Sequence, residues 1–557
     1  MDALLKKMIF DEKATVSDAI ECCLHGSKKV AFCVDRKGKF LGLLTEGDLL
    51  RLFKTGVKLT DKAVNHINRN PIMASEELSI SEAKKMLGSR IQIIPRVDAK
   101  GRLVGYVDMT SYEYGFITIK NKTVMILGLG YVGLTLGLVM ADSGYAVKGF
   151  DVNKGLMAKL KRKEPPFYEN GLQDLLDDHI DKRFKLVDSP EGNAAEVFII
   201  TVGTPIDKET KEPKMDMIRG AAKTVGKMLS KDNIVILRST VMIGTTRNVV
   251  IPELEKASGM KAGKDFFVAF CFERTAEGRA LKELRVLPQI IGGYDEKSCE
   301  IASRLFNEYT PTIIKVDSVE TAELCKLMDN CYRDVRFAFA NQLATLAEKI
   351  GLNIHKAIDA VNLNYQRNSI PKPSPGVGGP CLTKDPYILN KVFRLCGMDA
   401  DLLLSARKIN ETSVKVIPSR CDKILRGSGK TLKGARVFVV GFAFKGEPET
   451  SDLRDSTTLW FLESLRKYTK DISGYDPVVT SAEIKNLGIK AVGIEDGFRN
   501  ADAVFIMNNH RSYLHWNIEK LVVKMNKPAI FFDSWYVFAE RNMAQYKDII
   551  YTSIGIG

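Results

Sequence analysis

The sequence predicts an α/β protein: two doubly wound domains joined by a helical segment and preceded by a small duplicated α+β module. Three observations predict it. Short apolar strand runs alternate with helical patterns in two separate regions, residues 318–425 between those regions lack strand runs, and a pattern near the N-terminus recurs 63 residues later.

At 557 residues the chain is too long for one core. Its 45% hydrophobic and 27% charged content is that of a soluble globular protein. No run of about 18 apolar residues is present, so no membrane span is expected. The segment Met1 to Lys13 has acidic residues where a secretory signal needs an apolar core, so a cytoplasmic protein is expected. Ten cysteines occur without a Cys-x-x-Cys pair, which points to reduced thiols and no metal. The net charge of +14 raises nucleic acid as a partner, yet the basic residues are scattered and not interleaved with aromatics. An enzyme whose ligands are phosphorylated anions accounts for it better.

The elements follow in chain order. In residues 1–118, Val34-Asp35-Arg36-Lys37-Gly38-Lys39-Phe40-Leu41-Gly42 reappears as Val97-Asp98-Ala99-Lys100-Gly101-Arg102-Leu103-Val104-Gly105. Each copy reads strand, Asp/Gly turn, strand, and each follows a short helical pattern (Val16-Ser17-Asp18-Ala19 and Ile80-Ser81-Glu82-Ala83). Residues 119–317 begin with the strand run Val124-Met125-Ile126-Leu127 and continue in strand–helix alternation. Residues 318–425 read as long helices. Residues 426–557 resume the alternation at Val437-Phe438-Val439-Val440-Gly441.

Gly128-x-Gly130-x-x-Gly133 follows the first of these strand runs and opens a helix, as a Rossmann-like dinucleotide turn requires. Tyr131 and Val132 lie within the turn, and Asp151 ends the next strand. A carboxylate there accepts bonds from a ribose 2′-hydroxyl and repels a 2′-phosphate, so NAD is expected over NADP. Further on, Pro375-Gly376-Val377-Gly378-Gly379-Pro380-Cys381 sets a cysteine after a glycine-rich loop, four residues before Asp385. Lys326, Asn330 and Arg333 share one face of a helix.

Together these residues resemble the UDP-glucose/GDP-mannose dehydrogenase family over 121–557. The motifs are the glycine turn, Gly203-Thr204-Pro205, Ser239-Thr240-Val241, Phe272-Glu273-Arg274, Cys325-Lys326-Leu327-x-x-Asn330, Gly378-Gly379-Pro380-Cys381 through Asp385, and Phe444-Lys445 with Asp452-Leu453-Arg454. Glu273-Arg274, Asn330-x-x-Arg333 and Arg367 point to the UDP-N-acetylhexosamine 6-dehydrogenase branch, acting on UDP-N-acetylmannosamine or UDP-N-acetylglucosamine. UDP-glucose 6-dehydrogenase and a nucleotide-sugar sensor without turnover are the alternatives.

The resemblance implies Cys381 as nucleophile, Lys326 and Asn330 at the reacting oxygen, and Asp385 and Glu273 positioning water and the lysine. It implies NAD contacts from Gly128, Gly130, Tyr131, Val132, Gly133, Asp151, Thr204, Thr240 and Arg454. It implies UDP-sugar contacts from Glu273, Arg274, Thr275, Lys326, Asn330, Arg333, Tyr365, Arg367, Gly378 and Lys445, and pairing of the helical domain in a homodimer. Two departures stand out: Phe272 where the family has proline, and Ser534-Trp535-Tyr536 after Asp533 where it has arginine. The N-terminal duplication resembles a tandem CBS pair, a regulatory module that often binds adenine nucleotides. Thr45 and Asp48 match its ribose-binding T-x-x-D, whereas Asp108 and Ser111 stand inverted in the second copy. Thr45 and Asp48 also suit a simple helix cap.

Overall fold

The computed structural model describes residues 3–25, 29–78, 82–83, 86–88, 91–108, 122–539, 543–546 and 548–557. Ile80, Ser81 and Ser111 lie outside them. The chain forms two units, residues 1–118 and 119–557.

The first unit contains two three-stranded sheets. The hairpin Val30–Val34 with Phe40–Thr45 has its counterpart, shifted by 63, in Ile93–Val97 with Leu103–Asp108. Even the bulges correspond, at Cys33/Val34 and Arg96/Val97. The Asp/Gly turns explain why. Asp35 accepts the amides of Lys37 and Lys39, each at 2.8 Å, and Asp98 those of Lys100 and Arg102 at 2.9 and 2.8 Å. The two turns then join reciprocally: Phe40 N donates to the Gly101 carbonyl at 2.9 Å and Leu103 N to that of Gly38 at 3.1 Å. Val30, Phe32, Leu43, Leu103 and Tyr106 form a core shared by both copies, which is why neither copy buries its apolar face alone.

The second unit is built on two sheets. From edge to edge, the first runs Ile313–Val316, Gln289–Gly293, Phe267–Phe270, Ile234–Leu237, Val197–Ile200, Thr123–Leu127, Ala146–Phe150 and Phe184–Leu186. Its neighbours pair parallel except Phe267–Phe270 with Gln289–Gly293. Central strands such as Val197–Ile200 are buried at every residue because helices cover both faces, so they read as continuous apolar runs. The second sheet is parallel throughout, in the order Lys490–Ala491, Ile472–Tyr475, Val437–Val440, Ala503–Ile506, Ala529–Asp533 and Ile549–Ser553. In each sheet the strand order reverses beside the first strand, opening a crevice at its carboxyl end.

Between the sheets lies the helix Val319–Ile350, 32 residues and, at ~1.5 Å per residue, roughly 48 Å long. Ser318 caps its start on the Thr321 amide at 3.1 Å, and Gly351 ends it in the left-handed conformation. Its buried face meets Asp401–Thr412, where Arg407 and Asp334 form an ion pair of 2.6 Å with both side chains out of solvent. Asn410 adds a bond to Asp334 at 2.8 Å, and Arg407 reaches the Val377 carbonyl at 3.2 Å. This network holds the glycine-rich loop from beneath. Replacing Arg407 with Met should destabilise the protein by about 3–5 kcal/mol, because Asp334 would stay buried and uncompensated. Denaturant unfolding checks this, and an unchanged midpoint would show the pair to be dispensable.

Candidate active site

The first crevice opens where Thr123–Leu127 ends. A Cβ at Gly133 would lie 1.9 Å from the Gly128 carbonyl oxygen, so only glycine lets the helix Tyr131–Asp142 sit on that turn. At Gly130, just before that helix, a Cβ would meet nothing within 4 Å. That combination leaves open space at a helix N-terminus, which fits a pyrophosphate. Asp151, after the next strand, orients the turn by accepting the Leu129 amide at 2.7 Å and the Asn153 amide at 2.8 Å. Val132 is half-buried beside it. Thr204 donates to the Thr240 carbonyl at 2.5 Å, joining the ends of two neighbouring strands. The Tyr131 hydroxyl is held by Glu169 and Gly278. These residues fit a dinucleotide.

Cys381 is exposed at the end of the glycine-rich loop. Gly379 needs its φ of +87° for the loop to turn, and a Cβ there would strike the Phe444 ring at 2.6 Å. A Cβ at Gly378 would lie 2.2 Å from the Asp455 carbonyl oxygen. The loop is thereby pressed against the second sheet's domain. Asp385 returns an amide bond to the Cys381 carbonyl at 2.9 Å as the helix Asp385–Leu395 begins. Its buried carboxylate takes Asn330 Nδ2 and Lys384 Nζ, each at 2.5 Å. Desolvation, then the Asp385 charge, raises the Cys381 thiol pKa, while Lys326 and Lys384 oppose the shift. For Lys384 itself, burial opposes the charge, but Asp385 and Cys381 outweigh it and the pKa is raised.

Glu273 does something the sequence did not reveal. One carboxylate oxygen meets Arg238 at 2.6 Å, with both side chains buried, and the other accepts the amides of Arg274 and Thr275 at 2.7 and 2.8 Å. Burial resists the charge, but the Arg238 guanidinium holds the acid below its usual range. Its main-chain carbonyl, not its carboxylate, takes Lys326 Nζ at 2.7 Å. Phe272 is buried below, with Lys326 Nζ 5.8 Å from its ring centre.

Sequence reasoning missed Glu277. Its carboxyl is pushed up to about 7, first by burial and then by Asp452, against Arg454 and Lys445. Thr450 donates to it at 3.2 Å, Arg454 Nη2 stands 3.6 Å away, and Lys445 Nζ donates to its carbonyl at 2.7 Å. Arg454 is also bound to Asp452 at 2.6 Å. The Lys445 pKa is lowered by burial, with Glu277 opposing and the Arg333 charge adding to the fall. Glu277 lies close enough to add to the raising of the Cys381 pKa. The signal available was a second glutamate four residues after Glu273, just beyond a segment read only as far as Thr275. Lys384 was visible in its motif too, but nothing local showed that it faces Asp385.

Other expected residues stand apart. Arg274 pairs with Asp329 at 3.1 Å, and the Thr275 hydroxyl is buried without a hydrogen-bond partner among the described residues. Tyr365 and Arg367 sit on an exposed loop, the guanidinium 5.9 Å from the ring centre, and no hydrogen bond or ion pair among the described residues joins them to Cys381's neighbours. The residues after Asp533 turn inward: Trp535 donates to the Met507 carbonyl at 3.0 Å, and Tyr536 stacks on His355 at 4.1 Å. Thr45 and Asp48 form a reciprocal capping box at 2.7 to 3.1 Å, with Arg51 on the second carboxylate oxygen at 2.6 Å. Among the described residues, no cluster could hold a metal ion and no helix is long and apolar enough to cross a membrane.

A glycine turn suited to a dinucleotide, a cluster of Cys381, Lys326, Asn330 and Asp385, and a second doubly wound sheet are the parts of a dinucleotide-dependent dehydrogenase. The chain matches the UDP-glucose/GDP-mannose dehydrogenase family in its NAD binding domain over residues 122–310, its central domain over 320–412 and its UDP binding domain over 438–540. CBS domains match at 6–55 and 63–111. UDP-N-acetyl-D-mannosamine dehydrogenase of Pyrococcus horikoshii is 33% identical over 417 residues, 73% of this chain and 94% of the relative. The solved structure of the Pyrococcus horikoshii UDP-D-ManNAc dehydrogenase covers 78% of this chain and 99% of its own at a TM-score of 0.70 and 32% identity. UDP-N-acetyl-D-glucosamine 6-dehydrogenase of Pseudomonas aeruginosa is 28% identical over 76% of this chain and 98% of the relative. The chain belongs to the UDP-glucose/GDP-mannose dehydrogenase family, is NAD-dependent, and carries tandem CBS domains ahead of the enzyme.

Proposed function

We propose that the enzyme oxidises the C6 hydroxymethyl of a UDP-N-acetylhexosamine to a carboxylate through a covalent thioester on Cys381. The single observation that carries this is the cluster of Cys381, Lys326, Asn330 and Asp385 beside the dinucleotide crevice. NAD, held at the glycine turn, would supply the hydride acceptor, one molecule for each of the two oxidations, with NADH exchanged for fresh NAD between them. Lys326 exchanges the proton of the substrate hydroxyl and, with Asn330, stabilises the oxyanion. Cys381 passes its proton to solvent and the thiolate adds to the aldehyde carbon, while Lys326 gives a proton to the former carbonyl oxygen, forming a thiohemiacetal, the species that can be oxidised again. Lys326 and Lys384 favour the thiolate against the raised pKa. Glu277 then takes a proton from water, the water oxygen attacks the thioester carbon, and the C–S bond breaks to return the thiolate. Glu273 serves as a strut for Lys326, and Asp385 orients Asn330 and Lys384. Arg333, Lys445 and Arg454 supply positive charge for the diphosphate and for the negative charge that develops.

Release of NADH over a panel of UDP-N-acetylmannosamine, UDP-N-acetylglucosamine and UDP-glucose tests this. Preference for UDP-glucose would assign the enzyme to the other branch, and no NADH with any of them would leave a sensor. NAD should be favoured over NADP by on the order of 100-fold in kcat/KM, because the 2′-phosphate would meet Asp151. Parallel progress curves with both cofactors check this, and equal efficiency would remove Asp151 from the ribose.

A homodimer is part of the proposal. The long helix leaves Met328, Tyr332, Phe339, Leu346 and Ile350 exposed at spacings of 4 and 7 residues, a stripe suited to a second copy. An adenine nucleotide at Thr45 and Asp48 would have to displace Arg51 from the carboxylate.

A further inference from the structure

Glu277 lies on a loop whose place is set from the dinucleotide side. Tyr131 is the first residue of the helix behind the glycine turn, and its hydroxyl donates to Glu169 Oε2. The Gly278 amide donates to both, at 3.0 Å to the Tyr131 oxygen and 2.7 Å to Glu169. Glu169 is buried and also accepts the Leu281 amide at 3.4 Å. The Tyr131 ring packs on Phe167 with centroids 4.8 Å apart. A phenol beside a Gly-x-Gly turn reads as a ligand contact in sequence. Here its polar end is turned to protein, where three groups satisfy one another.

We propose that Tyr131 is a positioning residue, tying the loop that carries Glu277 to the dinucleotide turn so that the seated cofactor sets where Glu277 stands. The inference rests on the proposed role of Glu277 as base. That carboxyl faces Asp452, Arg454, Lys445 and Thr450 from the second sheet's domain, Cys381 from the glycine-rich loop, and Tyr131 on its own side. One negative and two positive charges pull in opposite directions there, so a small shift of the loop alters how tightly Glu277 holds its proton. Losing the Tyr131 hydroxyl leaves Gly278 with one acceptor fewer and Glu169 with one donor fewer, while the ring still fills its place on Phe167.

Tyr131→Phe in the full chain is the test, with NAD affinity measured by calorimetry and turnover followed from pH 5.5 to 9. The expected result is NAD affinity unchanged within about twofold, kcat lowered about tenfold, and a displaced pH limb at Glu277. Glu169→Gln should give the same signature. NAD affinity that falls in step with kcat would make Tyr131 a cofactor contact instead. An unaltered rate and pH limb in a folded variant would show that the tie sets nothing. Glu277→Gln run beside them separates the two readings: if it keeps the limb, the base assignment has failed, and a tenfold fall in Tyr131→Phe would then have another cause.

Discussion

Cys381→Ser is expected to lower sustained turnover by about three orders of magnitude or more while NAD and the UDP-sugar still bind. Sulfur and oxygen differ little in size, so the turn at Gly379 and the helix from Asp385 stay intact. What is lost is the nucleophile. Desolvation around the sulfur and the Asp385 charge already raise the thiol's pKa, and an alkoxide at that position would be far harder to form. A serine adduct would also yield an ester, a poorer acyl donor to water than a thioester. Steady-state NADH release together with calorimetric binding of both ligands decides the matter, and near-normal acid production would remove the covalent route.

Glu277→Gln is expected to lower turnover by about 100-fold and to erase a pH dependence in the neutral range. Glu277 must be ionised to take a proton from water, so wild-type activity should rise with pH through about 7, the value to which burial and Asp452 push it. Stability should move the opposite way. A carboxyl raised from 4.5 to about 7 binds its proton more tightly in the folded state. The stability it contributes is fully present below about 4.5 and is lost as pH rises through about 7. The glutamine variant should lose part of that slope. Glu323, also pushed to about 7 by burial while it accepts the Gly244 and Thr246 amides, keeps another part. Rates and unfolding midpoints from pH 4 to 9 test both signs, and a rate limb that survives the substitution would assign the base elsewhere.

Much of the fold can be read along the chain because its signals are local. A strand buried on both faces declares itself as four apolar residues in a row, as at Val197–Ile200. A Gly-x-Gly-x-x-Gly turn between strand and helix needs only a dozen residues to be recognised, and the duplicated hairpins carry the same aspartate and glycine in the same places. Cys381, Lys326, Asn330 and Asp385 were legible for the same reason, each lying in a short motif of its own.

The sequence by itself determined the doubly wound pattern, the glycine turn between strand and helix, and a cysteine set after a glycine-rich loop. Only the tertiary structure decided how differently two glutamates four residues apart hold their protons. Glu273 is withdrawn by Arg238, 35 residues earlier, whereas Glu277 is poised by Thr450, Asp452 and Arg454 from the far domain. It likewise decided that the Tyr131 hydroxyl faces Glu169 and Gly278. The physical reason is that a side chain's identity and period are properties of neighbouring residues, while its proton affinity and direction depend on charges and donors brought from far along the chain.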